Sequence, residues 1–389
     1  MYEVATQRTR FLSALAFVVL LALGISGIVF FGGGTKGSFR NAAVKAPANW
    51  EDLAGSPRRL DLQYPNLADE LMTLPYILVD SAGNLIVPHA AKGKLLVFDP
   101  TGKLVREIGR KGQGPGEFNL LSHAALDSGG RLVAYDADGR RFSVFSAGTY
   151  QYEGSFHAPS PVTEIASLQD GLALYSPYKE QVITKIGVDG KVIREALSAD
   201  RERLRLFLCR FQNGGVVEDG EGGVFGIYPE SFTIFRFDKN LNPVSRLNGG
   251  TAEWRPDSPV FPESLSPYGY TPAHLRWWDS HLHVDDIFNV SPNLIAVTLY
   301  KSNGPSSAGW YLNLYTKEGE ILAEGLTVPQ QGRIVAAKDC KLWVARDAYL
   351  KDDGTVVPFK LEEHSLKAGS ESVAGFCAAP PVQVAAGRL

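Results

Sequence analysis

The chain has 389 residues, with Lys+Arg 39 against Asp+Glu 42 and a formal net charge of −3. That balance lacks the basic excess of a nucleic-acid binder, and 44% apolar with 21% charged residues describes a globular chain rather than a disordered one. Forty glycines, 23 prolines, 20 Phe, 15 Tyr and two Met favour many strands joined by many turns, and three cysteines exclude a disulfide framework.

Residues 1–10 form a short polar end. Residues 11–31 carry no charge, and Ser13 and Ser26 are their only polar side chains. A helix of that length rises roughly 31 Å at about 1.5 Å per residue, the depth of a bilayer's hydrocarbon core. Arg8 and Arg10 precede it, the place for a cytoplasmic positive flank, while Lys36 and Arg40 behind it weaken the asymmetry. The segment is therefore expected to be a transmembrane anchor, with the protein attached to the membrane through 11–31. A cleaved signal peptide and a buried core helix are the alternatives; signal peptides usually have a shorter apolar region. Anchor or signal, the remainder lies outside the cytoplasm, in a bacterial periplasm or at the cell surface. Residues 32–57 are rich in Gly, Ala, Pro and Lys without apolar periodicity, and are expected to form a flexible stalk.

Residues 58–389 contain a recurring unit. Its first turn reads DSAGN at 80–84 and DSGGR at 127–131, with weaker copies at 169–171, 219–222, 291–293 and 338–340. Its second turn recurs at 98–102, 145–148, 186–190, 237–240 and 315–319. Asp, Asn and Gly between apolar runs mark hairpins, because these residues take positive φ cheaply. Four short strands per unit, six units long, predict an all-β chain folded as a six-bladed β-propeller. The last unit offers strands at 333–338, 342–346 and 356–361 but no fourth. Residues 59–64 (RLDLQY) alternate apolar and polar side chains. They are expected to complete that unit and so remove the open edges of a linear array.

The connector at 108–118 (IGRKGQGPGEF), followed by ALDSGGRLV at 125–133, resembles the connector and strand of NHL-repeat six-bladed β-propellers. The likeness is close over 76–150, recognisable to about 245 and thin beyond. It implies an NHL/TolB-like ring, and it leaves function open, since such rings include binding scaffolds, lyases and lactonase-like hydrolases. Within the connector, Gly109, Gly112, Gly114 and Gly116 let the backbone cross between units, and Phe118 is placed to plug the gap. A phosphate cradle would need Gly-Lys-Ser/Thr and a strand-to-helix setting, which are missing.

Aligning the units places Tyr76, His123, Glu164, Gly215, Asp285 and Arg333 near the starts of the innermost strands. There they are expected to form a ligand-binding rim of the central channel; solvated loop residues are the plainer alternative. In 277–286 (WWDSHLHVDD), strand spacing puts His281, His283 and Asp285 on one face. That trio is a candidate Zn²⁺ site or an ordinary polar strand edge. The long step between the fourth and fifth units, 248–280, carries Trp254, Tyr268, Tyr270, Trp277 and Trp278 among five prolines. It is read as a loop, either a partner-binding surface for a protein or glycan or a lid packing its own aromatics. Arg201, Arg203 and Arg205 alternate with leucines and suit a solvated face. Cys340 and Cys377 are the nearest pair in sequence, and the sequence leaves open whether they form a disulfide in an oxidising compartment or stay reduced; Cys209 is expected to be a buried thiol.

The expected function is a non-catalytic interaction module without a cofactor. The alternative is a lyase or lactonase-like hydrolase using a divalent cation held by His123, Glu164, Asp285 and His283, with Arg333 gripping an anionic substrate. No nucleic-acid partner is expected.

Overall fold

The computed structural model describes residues 49–65, 76–200, 213–248, 250, 271–301, 309–346, 349–350, 356–357, 359–367 and 373–377. The apolar segment 11–31, the arginines of 201–205 and Cys209 lie outside them. Among the described residues no helix is long and apolar enough to cross a membrane.

A one-turn helix α1 (Trp50–Leu53) and strand β1 (Arg58–Leu60) precede the first blade. Blade one contains β2 (Leu78–Val79), β3 (Leu85–His89), β4 (Lys94–Phe98) and β5 (Leu104–Ile108). Blade two contains β6 (Leu121–Leu126), β7 (Leu132–Asp136), β8 (Arg141–Phe145) and β9 (Tyr152–His157). Blade three contains β10 (Glu164–Leu168), β11 (Gly171–Tyr175), β12 (Gln181–Gly187) and β13 (Val192–Ser198). Blade four contains β14 (Gly215–Glu218), β15 (Val224–Ile227), β16 (Thr233–Phe237) and β17 (Pro243–Asn248). Helix α2 (Pro272–Asp279) leads into blade five: β18 (His283–Ser291), β19 (Leu294–Lys301), β20 (Gly309–Thr316) and β21 (Ile321–Thr327). Blade six begins with β22 (Arg333–Lys338) and β23 (Lys341–Arg346). A small hairpin, β24 (Tyr349–Leu350) with β25 (Val356–Val357), interrupts it before β26 (Lys360–Ser365) and the short helix α3 (Ala374–Cys377).

All six sheets are four-stranded antiparallel meanders, except that the sixth takes its outer strand from the beginning of the chain in the order β22-β23-β26-β1. Arg58, Arg59 and Leu60 pair with Glu363, Glu362 and Leu361. The closure expected of residues 59–64 is therefore made by β1. The third strand of blade six is β26 rather than 356–361, because Val356–Val357 is used in the separate hairpin. The end of the expected stalk also belongs to the ring: Trp50 and Leu53 are buried, and the Trp50 indole donates to His364 Nδ1 at 3.3 Å.

The recurring aspartates explain the turns. Asp80 Oδ1 accepts the amides of Ala82 and Asn84, both at 2.8 Å, and Asp127 Oδ1 accepts those of Gly129 and Arg131. Asp219 Oδ1 does the same for Glu221 and Gly223, as Asp99 and Asp238 do in second turns. One carboxylate thus satisfies two turn amides and fixes the hairpin register. The connector at 108–118 is structural. Phe118 is fully buried under Gly109, where a Cβ would lie 2.6 Å from its ring. The Gly114 amide that an anion would need is already taken by Glu117 Oε2 at 2.8 Å.

The apolar residues fall into six clusters, one in each gap between neighbouring blades. The cluster between blades five and six also takes in Trp50, Leu53, Leu366 and Val373, so both ends of the described chain are packed into the ring. A disulfide joins Cys340, in the first turn of blade six, to Cys377 of α3.

The two faces of the ring differ. On the face holding the first and second turns, no connection between strands of a blade exceeds six residues, and both ends of the described chain join the ring there. The opposite face, where inner strands begin, carries the long connections 109–120, 199–214, 249–282 and 347–359.

Candidate functional site at the channel mouth

The six inner strands enclose a cavity of about 1650 Å³. At its mouth, where those strands begin, it is lined by Tyr76, His123, Glu164, Asn213, Asp285, Asp286 and Arg333. All five rim residues expected from the sequence therefore share one cavity. Gly215, the sixth aligned position, supplies room instead. A Cβ there would sit 1.9 Å from Glu164 Oε2 and 3.2 Å from Asp286 Oδ1. Glu164 Oε2 accepts the Val216 amide at 2.9 Å, and Glu164 and Asp286 share a side-chain hydrogen bond.

Asp286 was not legible in the sequence. Strict alternation sends Asp285 and Asp286 to opposite faces of β18, but the register shifts between Val284 and Asp286, so both line the channel. Similar shifts fall at Leu121/His123 in β6 and at Ile334/Ala336 in β22, next to two other rim residues. Asn213 was missed as well; its Nδ2 donates to Asp285 Oδ1 at 3.0 Å from just before β14.

Burial controls the electrostatics. It pushes Glu164 well above the ordinary carboxylate range, with the charge of Asp286 adding to the effect. Asp286 rises to about 7, through burial and then the charge of Asp285. Asp285 reaches only about 6, because Arg333, Asn213 and Thr298 favour its ionised form against burial. Burial also lowers His123 to about 4, so its imidazole is neutral at physiological pH. The His123 ring stacks on Tyr76 with centroids 5.5 Å apart and planes 6° from parallel, and its Nδ1 has no hydrogen-bond partner among the described residues. The Arg333 guanidinium lies 5.8 Å from the centre of the Trp310 ring.

The metal trio does not assemble. His281 precedes β18, with Nδ1 2.8 Å from the Trp277 carbonyl oxygen; His283 is buried against Tyr300; Asp285 faces the channel. Among the described residues no three His, Cys, Asp or Glu side chains form a metal-holding group, and of the set His123, Glu164, Asp285 and His283 the last does not line the cavity. Part of the expected loop at 248–280 is helix α2, which opens with Pro272. Trp277 is half-buried there, its ring 5.4 Å from that of His281. Trp254, Tyr268, Tyr270 and the side chain of Trp278 lie outside the described residues.

A family profile described as "6-bladed beta-propeller" (DUF5128) matches residues 69–188. No curated protein sequence matches the chain. Among solved structures, a "Putative exported protein" from Bacteroides fragilis superposes with a TM-score of 0.57 at 15% identity, covering 82% of this chain and 96% of that one. A DUF4221 family member from Bacteroides vulgatus gives 0.54 at 10% identity, covering 81% and 97%. Virginiamycin B lyase from Staphylococcus aureus gives 0.46 at 12% identity, covering 80% and 99%. The profile, the two closer superpositions and the closed ring of six sheets agree: the chain is a six-bladed β-propeller.

Proposed function

We propose that the protein is a ligand-binding propeller acting outside the cytoplasm, with its recognition surface at the channel mouth. The observation that carries this reading is the rim itself. Tyr76, His123, Glu164, Asp285 and Arg333 converge with Asp286 and Asn213 on one cavity, and His123 Nδ1 is left without a partner. Buried polar atoms are normally satisfied, and polar side chains converging on one large cavity are the ordinary mark of a ligand site. Helix α2, with the half-buried Trp277, lies in the connection that leads into β18 on the same face. The apolar segment 11–31 and the Cys340–Cys377 disulfide support a location outside the cytoplasm, where such bonds persist. The described chain joins the ring on the face opposite the mouth.

A second reading draws on the same residues. Carboxyls that keep their protons near neutral pH beside a neutral imidazole suit proton transfer, as a lyase or lactonase-like hydrolase would need.

The test is to probe glycan and peptide arrays with the full-length protein and with a Glu164→Gln/Arg333→Ala variant of unchanged circular dichroism. Signal on one ligand class that the variant loses supports the reading. Blank arrays, or signals the variant keeps, overturn it. Release of product from a bound ligand moves the enzyme reading ahead.

A further inference from the structure

We infer that the ligand carries a guanidinium or alkylammonium group, which enters the mouth and is held by Glu164, Asp285 and Asp286. This inference rests on the binding function proposed for the channel mouth and names its chemistry.

Among the described residues, charge within the mouth is unbalanced. Three carboxyl groups, from β10 and β18, face one guanidinium, that of Arg333 from β22. The other lysine or arginine lining the channel, Lys338, donates to the carbonyls of Val79 and Asp80 at the opposite end. Asn213 and Thr298 provide dipoles but no charge, and His123 and Tyr76 are neutral. Glu164 and Asp286 meet the imbalance by holding a proton between them. A cationic N–H donor can replace that proton, leaving two ionised carboxylates with a compensating charge.

The shape suits such a group. Gly215 puts no side chain over the Glu164–Asp286 pair. The Tyr76 and His123 rings stack on each other at the same mouth, so the imidazole is held in one orientation beside the carboxyl groups. His123 is the independent sign of an incomplete site: the side chain lines the cavity, and its buried Nδ1 has no hydrogen-bond partner among the described residues, which leaves one acceptor of a neutral imidazole open. Glu164 and Asp286 then accept the remaining donors, a fork geometry that favours guanidinium over ammonium.

Binding is coupled to proton loss. Among the described residues, the groups facing the pair are Asp285 and Arg333, with His123 and Tyr76 across the mouth, and the one cation, Arg333, faces three carboxyl groups. The cation therefore binds more tightly at pH values where the pair has ionised, and its arrival releases protons to the buffer.

Calorimetry of the full-length protein with n-butylguanidinium, n-butylammonium and the uncharged isostere n-butylurea tests this. Acetyl-Ala-Arg-Ala-amide and its citrulline counterpart form a second arm, which distinguishes a peptide source from a free small molecule. The charged member of each pair is expected to bind at least about tenfold more tightly than the neutral one. Its affinity should rise from about pH 5 to about pH 8, with protons released. A Glu164→Gln/Asp286→Asn variant should lose that preference. Equal binding of charged and neutral probes, or affinity that falls with pH, overturns the inference, and both measurements need only the wild-type protein. If neither cation binds while an array ligand is still lost on mutating Glu164 and Arg333, the cation fails and the mouth survives as a site. If nothing binds there, both readings fail.

Discussion

A buried carboxyl group ionises only where something compensates its charge, and at the channel mouth Glu164 and Asp286 have mainly each other. The sign of the consequence follows from the raised values. Asp286 holds its proton in the folded state up to about pH 7, whereas an unfolded aspartate loses it near 3.8. The folded state thus binds more protons between those values, and stability falls as pH rises through that window. Asp286→Asn is expected to raise the melting temperature by a few degrees at about pH 8 relative to wild type, with the difference vanishing near pH 4. A pH series of thermal scans checks this, and an equal gain at both ends of the series would show that the carboxyl carries no buried charge. His123 acts in the opposite sense: neutral in the fold down to about 4, it withdraws stability as pH falls below 6.5. Five rim residues were legible because the unit repeats and the same position recurs at the start of each inner strand. Asp286 and Asn213 were not legible, since a bulge and a residue just outside a strand leave no periodic trace.

At the scale of elements, the repeat was legible through its turns. An aspartate that accepts two amides two and four residues ahead is a local device, and local devices survive in sequence. Asp127→Ala removes both bonds and the contact with Arg131, and is expected to cost about 1–2 kcal/mol. The loss should appear as a lowered urea midpoint with an unchanged slope. Asp127→Asn, which keeps an acceptor oxygen, should recover part of it. Helix α2 was harder to see. Its surroundings are dense in proline and aromatic residues, which signal loops, yet proline is well tolerated in a first helical turn, where its missing N–H has no partner to lose. The third strand of blade six was misplaced for a related reason: 356–361 is one short β-favourable run, and the structure divides it between a hairpin and β26.

Over the whole molecule, closure was legible and the arrangement of faces only partly so. The missing outer strand of blade six could be matched to an orphan strand near the start, because a ring cannot leave an edge open. The crowding of long connections on one face follows from the same meander, in which alternate connections return to the same side. Removing residues 1–60 deletes α1 and β1 together. It is expected to lower the melting temperature by about 10 °C or more and to expose the edge of β26 to self-association. Removing residues 1–43 should leave both properties unchanged, as thermal scans and light scattering would show.

The pairing of β1 with β26 also determines how the ring bears load. Tension applied to the chain ahead of α1 would meet the ring on the face opposite the channel mouth. That tension reaches the ring through α1 and the three-residue ladder of β1 before it reaches any other strand. Blade six is then expected to open first under such a pull, because its outer strand is held by three residue pairs. Its Cys340–Cys377 bond retains the C-terminal helix as the N-terminal strand peels away, and the surviving sheets provide a template on which it can anneal once the force is gone.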